Sequence, residues 1–72
     1  GPHPGEILRK EQIRAEVVTA AQLFHYRKGA WPESLGDMVR SGQLTPSVLV
    51  TVEELGWEYK INRNRDGFTF GS

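Results

Sequence analysis

The chain has 72 residues, 38% of them apolar, with two Trp, two Tyr and three Phe, and a chain of this size builds one domain with a thin core. Its nine basic and nine acidic side chains cancel, which argues against a dedicated binder of nucleic acid or anionic membrane. It has no cysteine, which excludes disulfides and thiolate zinc sites, and no run of about 20 apolar residues that could cross a bilayer.

Residues 1–5, Gly1-Pro2-His3-Pro4-Gly5, combine two prolines with two glycines. They are expected to form a disordered tail outside the fold. Gly1-Pro2 has the look of a tag remnant left by a protease, which would place the natural start, with any export signal or anchor, upstream. Residues 6–72 are expected to form a single globular domain.

From Glu6 to Lys28 the chain reads as a long helix. Strong helix formers dominate it, and no Gly or Pro interrupts it. Ile13, Val17, Ala20, Ala21 and Phe24 recur at helical spacing and form an apolar stripe. Ile7, Val18 and Leu23 widen that stripe or lie beside it. Arg27 and Lys28 complement the dipole at the last turn, and Gly29 supplies a left-handed stop. A helix of this length rises roughly 34 Å, more than a small globule needs. Its first turns are therefore expected to project, leaving Ile7, Leu8 and Val18 as candidate partner contacts.

Trp31-Pro32 turns the chain, with Trp31 as the expected plug of the corner. A short second helix is expected from Pro32 to Ser41, with Pro32 in its first turn and Leu35, Met38 and Val39 facing inward. Gly42 ends it, and Leu44 packs back over the final turn. Thr45-Pro46-Ser47 is compatible with another helical turn. Val48-Leu49-Val50-Thr51-Val52, however, is rich in β-branched residues, and the expectation here is a strand, with a loop over Glu53 to Gly56.

Trp57-Glu58-Tyr59-Lys60-Ile61 alternates apolar and charged residues, the mark of a half-buried antiparallel strand. Asn62 to Gly67 is a turn, and Phe68-Thr69-Phe70 returns. Pairing Ile61 with Phe68 and Tyr59 with Phe70 puts both apolar faces on one side. The expected core is Ile13, Val17 and Phe24, completed by Trp31, Leu35, Val39, Trp57, Tyr59 and Phe68.

The run "AAQLFHYRKGAWPESLGDMVRSGQL", followed by "GWEYKI", a turn and "DGFTF", resembles the soluble part of type IV pilin-like proteins and of type II secretion pseudopilins. The matching residues are Ala20, Ala21, Tyr26, Gly29, Trp31, Pro32, Ser34, Leu35 and Val39, then Gly56, Trp57 and Tyr59. The resemblance spans roughly residues 13 to 71. It implies a membrane-anchored structural subunit of the bacterial envelope, whose apolar N-terminal segment packs at the core of a filament and whose head faces outward. The C-terminal cysteine pair of many pilins and the aspartate-rich calcium loop of major pseudopilins have no counterpart here. Asp66 reads as a turn residue.

No motif for catalysis stands out. His25 is the one histidine inside the expected fold and lacks partners for a metal site. Glu53, Glu54 and Glu58 lie in or beside a loop, which does not hold the fixed separation acid–base work needs. Ser34 and Ser41 are explained by helix capping, and Gly29, Gly36 and Gly42 by helix ends and a packing contact. Arg63 and Arg65 sit at the hairpin tip, where a winged-helix DNA binder would touch phosphates. The segment where a recognition helix would fall, Pro46 to Leu55, carries Glu53 and Glu54 and no Lys or Arg.

The expected fold is thus α+β: a long N-terminal helix, a short second helix and a small antiparallel sheet packed on the long helix, as in pilins. The expected function is a non-enzymatic assembly subunit without cofactor or metal, the ectodomain of a pilin-like or pseudopilin-like protein. Its expected partners are other such subunits, or copies of itself, and the inner membrane through an N-terminal anchor. It would face the periplasm or the cell exterior, and nucleic acid is not among the expected partners. An envelope interaction module of the same fold that does not polymerise is the alternative, and a DNA-binding domain ranks third. Ile7, Leu8, Val18, Arg63 and Arg65 form the candidate interaction surface.

Overall fold

The computed structural model of the chain describes residues 4–71, with the backbone alone at residues 4, 6 and 7. The fold is α+β: three helices precede a two-stranded antiparallel sheet. The first helix, α1, spans Pro4–Lys28. It begins two residues before the expected start, so Pro4 and Gly5 belong to the helix and not to a tail. Proline is well suited to a first turn, where its missing N–H would have no helical partner. Residues 1–3 of the expected tail lie outside the described residues. Ile13, Val17, Ala20 and Ala21 are buried along one face of α1, and Phe24 is half-buried beside them. Gly29 closes the helix at φ 73°, donating its N–H to the His25 carbonyl at 2.8 Å.

The second helix, α2, spans Leu35–Arg40 and is shorter than expected, because Ser34 and not Pro32 starts it. Ser34 is extended, and its Oγ accepts from the Asp37 N–H at 3.3 Å. Asp37 in turn accepts from the Glu33 N–H at 3.1 Å. This reciprocal pair is close to a capping box. Pro32 stays outside the helix and is fully buried. At the other end Gly42 takes φ 83°, Gly42 N–H donates to Val39 O at 3.1 Å, and Gln43 N–H donates to Met38 O at 2.9 Å. That is a Schellman closure. It turns Leu44 back into the core, as expected from the sequence.

The third helix, α3, spans Pro46–Leu55 and replaces the strand expected over Val48–Val52 and the loop expected over Glu53–Gly56. Pro46 stands in its first turn, and Gly56 ends it at φ 73° with the same two-bond closure, Gly56 N–H to Glu53 O and Trp57 N–H to Val52 O. Helical geometry buries Val52 fully, half-buries Val48 and Leu55, and leaves Val50 at the surface. A strand would have put Val48, Val50 and Val52 on one face. The gain from burying only the residues the core can cover outweighs the weak β preference of valine.

The hairpin follows at once. Strand β1, Glu58–Ile61, pairs antiparallel with β2, Phe68–Gly71, in the expected register, with Tyr59 opposite Phe70 and Ile61 opposite Phe68. Trp57 lies just before β1. The turn is fixed by Asn62 N–H to Gly67 O and Arg65 N–H to Asn62 O, both 2.9 Å, with Arg65 left-handed at φ 58°. The apolar face of the sheet is a connected aromatic layer: Tyr59 stacks on Phe68 at 5.2 Å, and Trp57 meets Phe70 edge-on at 5.7 Å. Arg14 ties this layer to α1. Its guanidinium lies 4.8 Å from the Trp57 ring centre and donates to the Phe70 carbonyl at 3.0 Å.

Met38, Val17, Val52 and Pro32 are the largest fully buried side chains. The expected plug, Trp31, is only half-buried. It lies over the corner, stacked on His25 at 4.2 Å and tilted against Phe68 at 5.3 Å, while Pro32 and Met38 fill the space beneath. Phe24, Leu35, Val39, Trp57, Tyr59 and Phe68 likewise pack on the core from its half-buried margin.

Candidate interaction surface

Among the described residues, His25, Glu58 and Ser34, singled out as candidates for chemistry, are engaged in contacts of their own. His25 is held flat against Trp31. Glu58 pairs with Lys60, two residues along the same strand, at 3.4 Å. Ser34 is occupied as a helix cap. Among the described residues no group of three His, Asp or Glu side chains could hold a metal ion.

The five residues expected to form the interaction surface separate. The side chain of Ile7 lies outside the described residues. Leu8 is 57% exposed. Val18 is half-buried and offers little to a partner; it sits beside Val17 at the edge of the core face, so the body of the protein shields it. Arg63 is exposed at the hairpin tip. Arg65 is also exposed, but it donates to Glu33, 32 residues away, and so ties the tip to the corner before α2. An exposed ion pair of this kind contributes little stability, typically below about 1 kcal/mol. It does halve the free positive charge of the tip.

The winged-helix alternative gains one feature and loses none of its difficulty. A helix does fall at Pro46–Leu55 immediately before the hairpin. It carries no basic residue, and Glu53 and Glu54 stand exposed in its last turns. Such a helix repels phosphate where a recognition helix must attract it.

Two surface features were not legible in the sequence. The first is the pair Leu23, 37% exposed, and Tyr26, 86% exposed, on the outer face of α1. The second is a groove of about 540 Å³ between α1 and the segment that joins α2 to α3. Glu16, Thr19 and Leu23 line one wall, and Gln43, Leu44 and Val48 the other. Gln43 Oε1 is buried there without a hydrogen-bond partner, an arrangement that costs about 1–3 kcal/mol until a donor is found. The groove brings together residues of α1, the segment after α2 and the start of α3, a juxtaposition that no local pattern in the sequence announces.

Tyr59 joins the sheet to the corner. Its hydroxyl donates to the Pro32 carbonyl at 2.7 Å. Burial, and then the nearby charge of Asp37, push this phenol from 10.0 up to about 12. The folded chain therefore holds the proton more tightly than the unfolded chain. The stabilisation is complete below pH 10 and is lost as the pH rises to about 12. Thermal midpoints should fall over that interval, and Tyr59→Phe should flatten much of the fall. An equally steep fall in the variant would assign the effect to other groups.

Comparison of the chain with family models, with curated proteins and with solved structures finds no match.

Proposed function

We propose that this chain is the head of a non-enzymatic assembly subunit, a pilin-like or pseudopilin-like component of a bacterial pilus or secretion filament. One observation carries the reading: α1 has two unlike halves. From Ile13 onward one face is buried under the rest of the fold, whereas every described side chain before Ile13 is exposed, Leu8 among them. The helix is about 37 Å long by its rise per residue, and the molecule measures 41 × 24 × 17 Å. A helix gripped by a head from Ile13 onward, with Leu8 exposed before it and Arg9 and Lys10 facing Thr51 and Leu55 only across an open cleft, suits packing against neighbouring helices.

On this reading the partners are other such subunits or copies of the same chain. The parent protein continues upstream as an apolar anchor in the inner membrane, and the head faces the periplasm or the cell exterior. Mass spectrometry of the mature parent, taken from membranes of its own cells, tests this. The expected result is a processed apolar segment of about 20 residues that runs without a break into "GEILRKEQIRAEVV". A soluble parent, or a separate folded domain upstream, would defeat the filament reading and favour an interaction module that does not polymerise.

A further inference from the structure

The hairpin turn carries an Asp-Gly pair, and the turn leaves that pair open to reaction. The chain has two aspartates and two asparagines. Asp37 lies in α2, where its carboxylate is taken up by the Glu33 N–H and by Arg40. Asn62 and Asn64 are each followed by an arginine, whose side chain crowds the next backbone nitrogen. Asp66 is exposed, and Gly67 follows it outside both strands. We propose that Asp66 of the folded chain is a site of spontaneous isomerisation to isoaspartate, through a succinimide closed by the Gly67 nitrogen. The inference is independent of the filament reading.

Two groups must be free for the ring to close. The Asp66 carboxyl accepts one long hydrogen bond, from Asn62 Nδ2 at 3.3 Å, and makes no ion pair among the described residues. The Gly67 carbonyl accepts from the Asn62 N–H at 2.9 Å, but the Gly67 N–H donates no hydrogen bond among the described residues. Gly67 has no β-carbon, so nothing of its own hinders the approach of its nitrogen to Asp66 Cγ. From the neutral acid, that nitrogen bonds to Cγ, the Cγ–OH bond breaks, and the hydroxyl leaves with the N–H proton as water. Water then opens the ring. Attack at Cγ restores aspartate. Attack at the main-chain carbonyl breaks its bond to Gly67 and leaves the chain running through Cβ and Cγ. The water lost is regained, and no oxidant or co-reactant is needed.

The product adds a methylene to the main chain inside the turn that fixes the hairpin register. The insertion falls between Arg65, which holds the tip to Glu33, and Phe68, which lies opposite Ile61. The hydrogen bond from Asn62 to Gly67 spans the altered link, so it is the contact that the modification loosens first.

Peptide mapping of the whole chain, held folded at physiological temperature and pH over weeks, tests the proposal. Cleavage after Lys60 releases residues 61–72. This fragment should split into two species of equal mass, with a transient third that is lighter by one water. A methyltransferase specific for isoaspartyl carboxyls should label the new species. Gly67→Ala sets a methyl group beside the reacting nitrogen and should slow the split at least about tenfold. Alanine fits the folded turn, because Gly67 does not use the left-handed backbone and a β-carbon there would meet only the end of the Asn62 side chain, at 3.2 Å. Asp66→Glu, which needs a larger ring, should accumulate no isomer. In the purified isomer the Asn62 amide should exchange faster with solvent. A folded chain that does not split, a split confined to chain held in urea, an equal rate in Gly67→Ala, or label at Asp37 in place of Asp66 would each overturn the site. Unchanged protection of the Asn62 amide would overturn the loosening of the turn.

Discussion

Met38→Ala is expected to lower the free energy of unfolding by about 3 kcal/mol, within the 2–5 kcal/mol usual for truncating a buried methionine. Met38 is the one buried side chain of α2 and among the four largest that are fully buried in the described chain. Its carbonyl also accepts from the N–H groups of Gln43 and Leu44. That residue therefore anchors α2 to α1 through its side chain and closes the helix through its backbone. Alanine keeps the backbone bonds and has the best helix propensity, so the substitution isolates packing. A domain of this size has about 5 kcal/mol of stability to lose, so such a loss leaves about 2 kcal/mol and raises the unfolded fraction to about a few per cent. Urea titration reads the effect as a lower midpoint with an unchanged slope. A loss below about 1 kcal/mol would mean that α2 is not the lid of the core.

Trp31 is the instructive contrast. The aromatic-Pro pair was the strongest signal of the corner, and volume alone suggested that tryptophan fills it. The structure gives the interior to Pro32 and Met38 and leaves Trp31 as a half-buried cover between His25 and Phe68. Pro32 is fully buried at the entry to α2, whereas the Trp31 indole keeps part of its surface in solvent. The cost of Trp31→Ala should accordingly lie nearer about 2 kcal/mol than the 3–5 kcal/mol of a core aromatic.

Elements whose evidence is local were legible in the sequence. The face of α1 follows from the spacing of Ile13, Val17, Ala20 and Ala21, and Gly29 marks its end. The hairpin register follows from two alternating runs around a single turn, because a slip by one residue would expose every aromatic. The second helix was read too long by its leading residues, since proline signals a first turn while Ser34 performs the capping. The candidate surface was the least legible part. Leu8 could be read from the length of α1, but the groove depends on how three helices meet, and Gln43 carries no pattern that distinguishes it from any other loop amide. Tyr26 stands beside Phe24 in the sequence, and only the direction of the core separates the exposed ring from the packed one.

Residues 48–52 show how a tertiary requirement overrules local preference, and they yield the sharpest test of the fold. The run offers four β-branched residues in five positions, and its helix signals are only Pro46 before it and Gly56 after it. Lysine placed at two of those positions separates the outcomes. In the helix Val52 is fully buried and Val50 is 52% exposed. Val52→Lys must abandon the burial of a valine and bring an ammonium to the core, at a cost of about 4 kcal/mol or more, which leaves about 1 kcal/mol or less of stability. Val50→Lys replaces an exposed valine with a better helix former and sets a positive charge three and four residues before Glu53 and Glu54, a spacing that favours opposite charges by about 0.2–0.5 kcal/mol per pair. It should leave stability unchanged or raise it by up to about 1 kcal/mol. Circular dichroism with urea titration reads both variants. In a strand the two positions share a face, so equal damage from the two lysines would remove α3 and, with it, the groove beside Gln43. Damage confined to Val52→Lys makes the helix, and not the β preference of its residues, the element that shapes the surface of this domain.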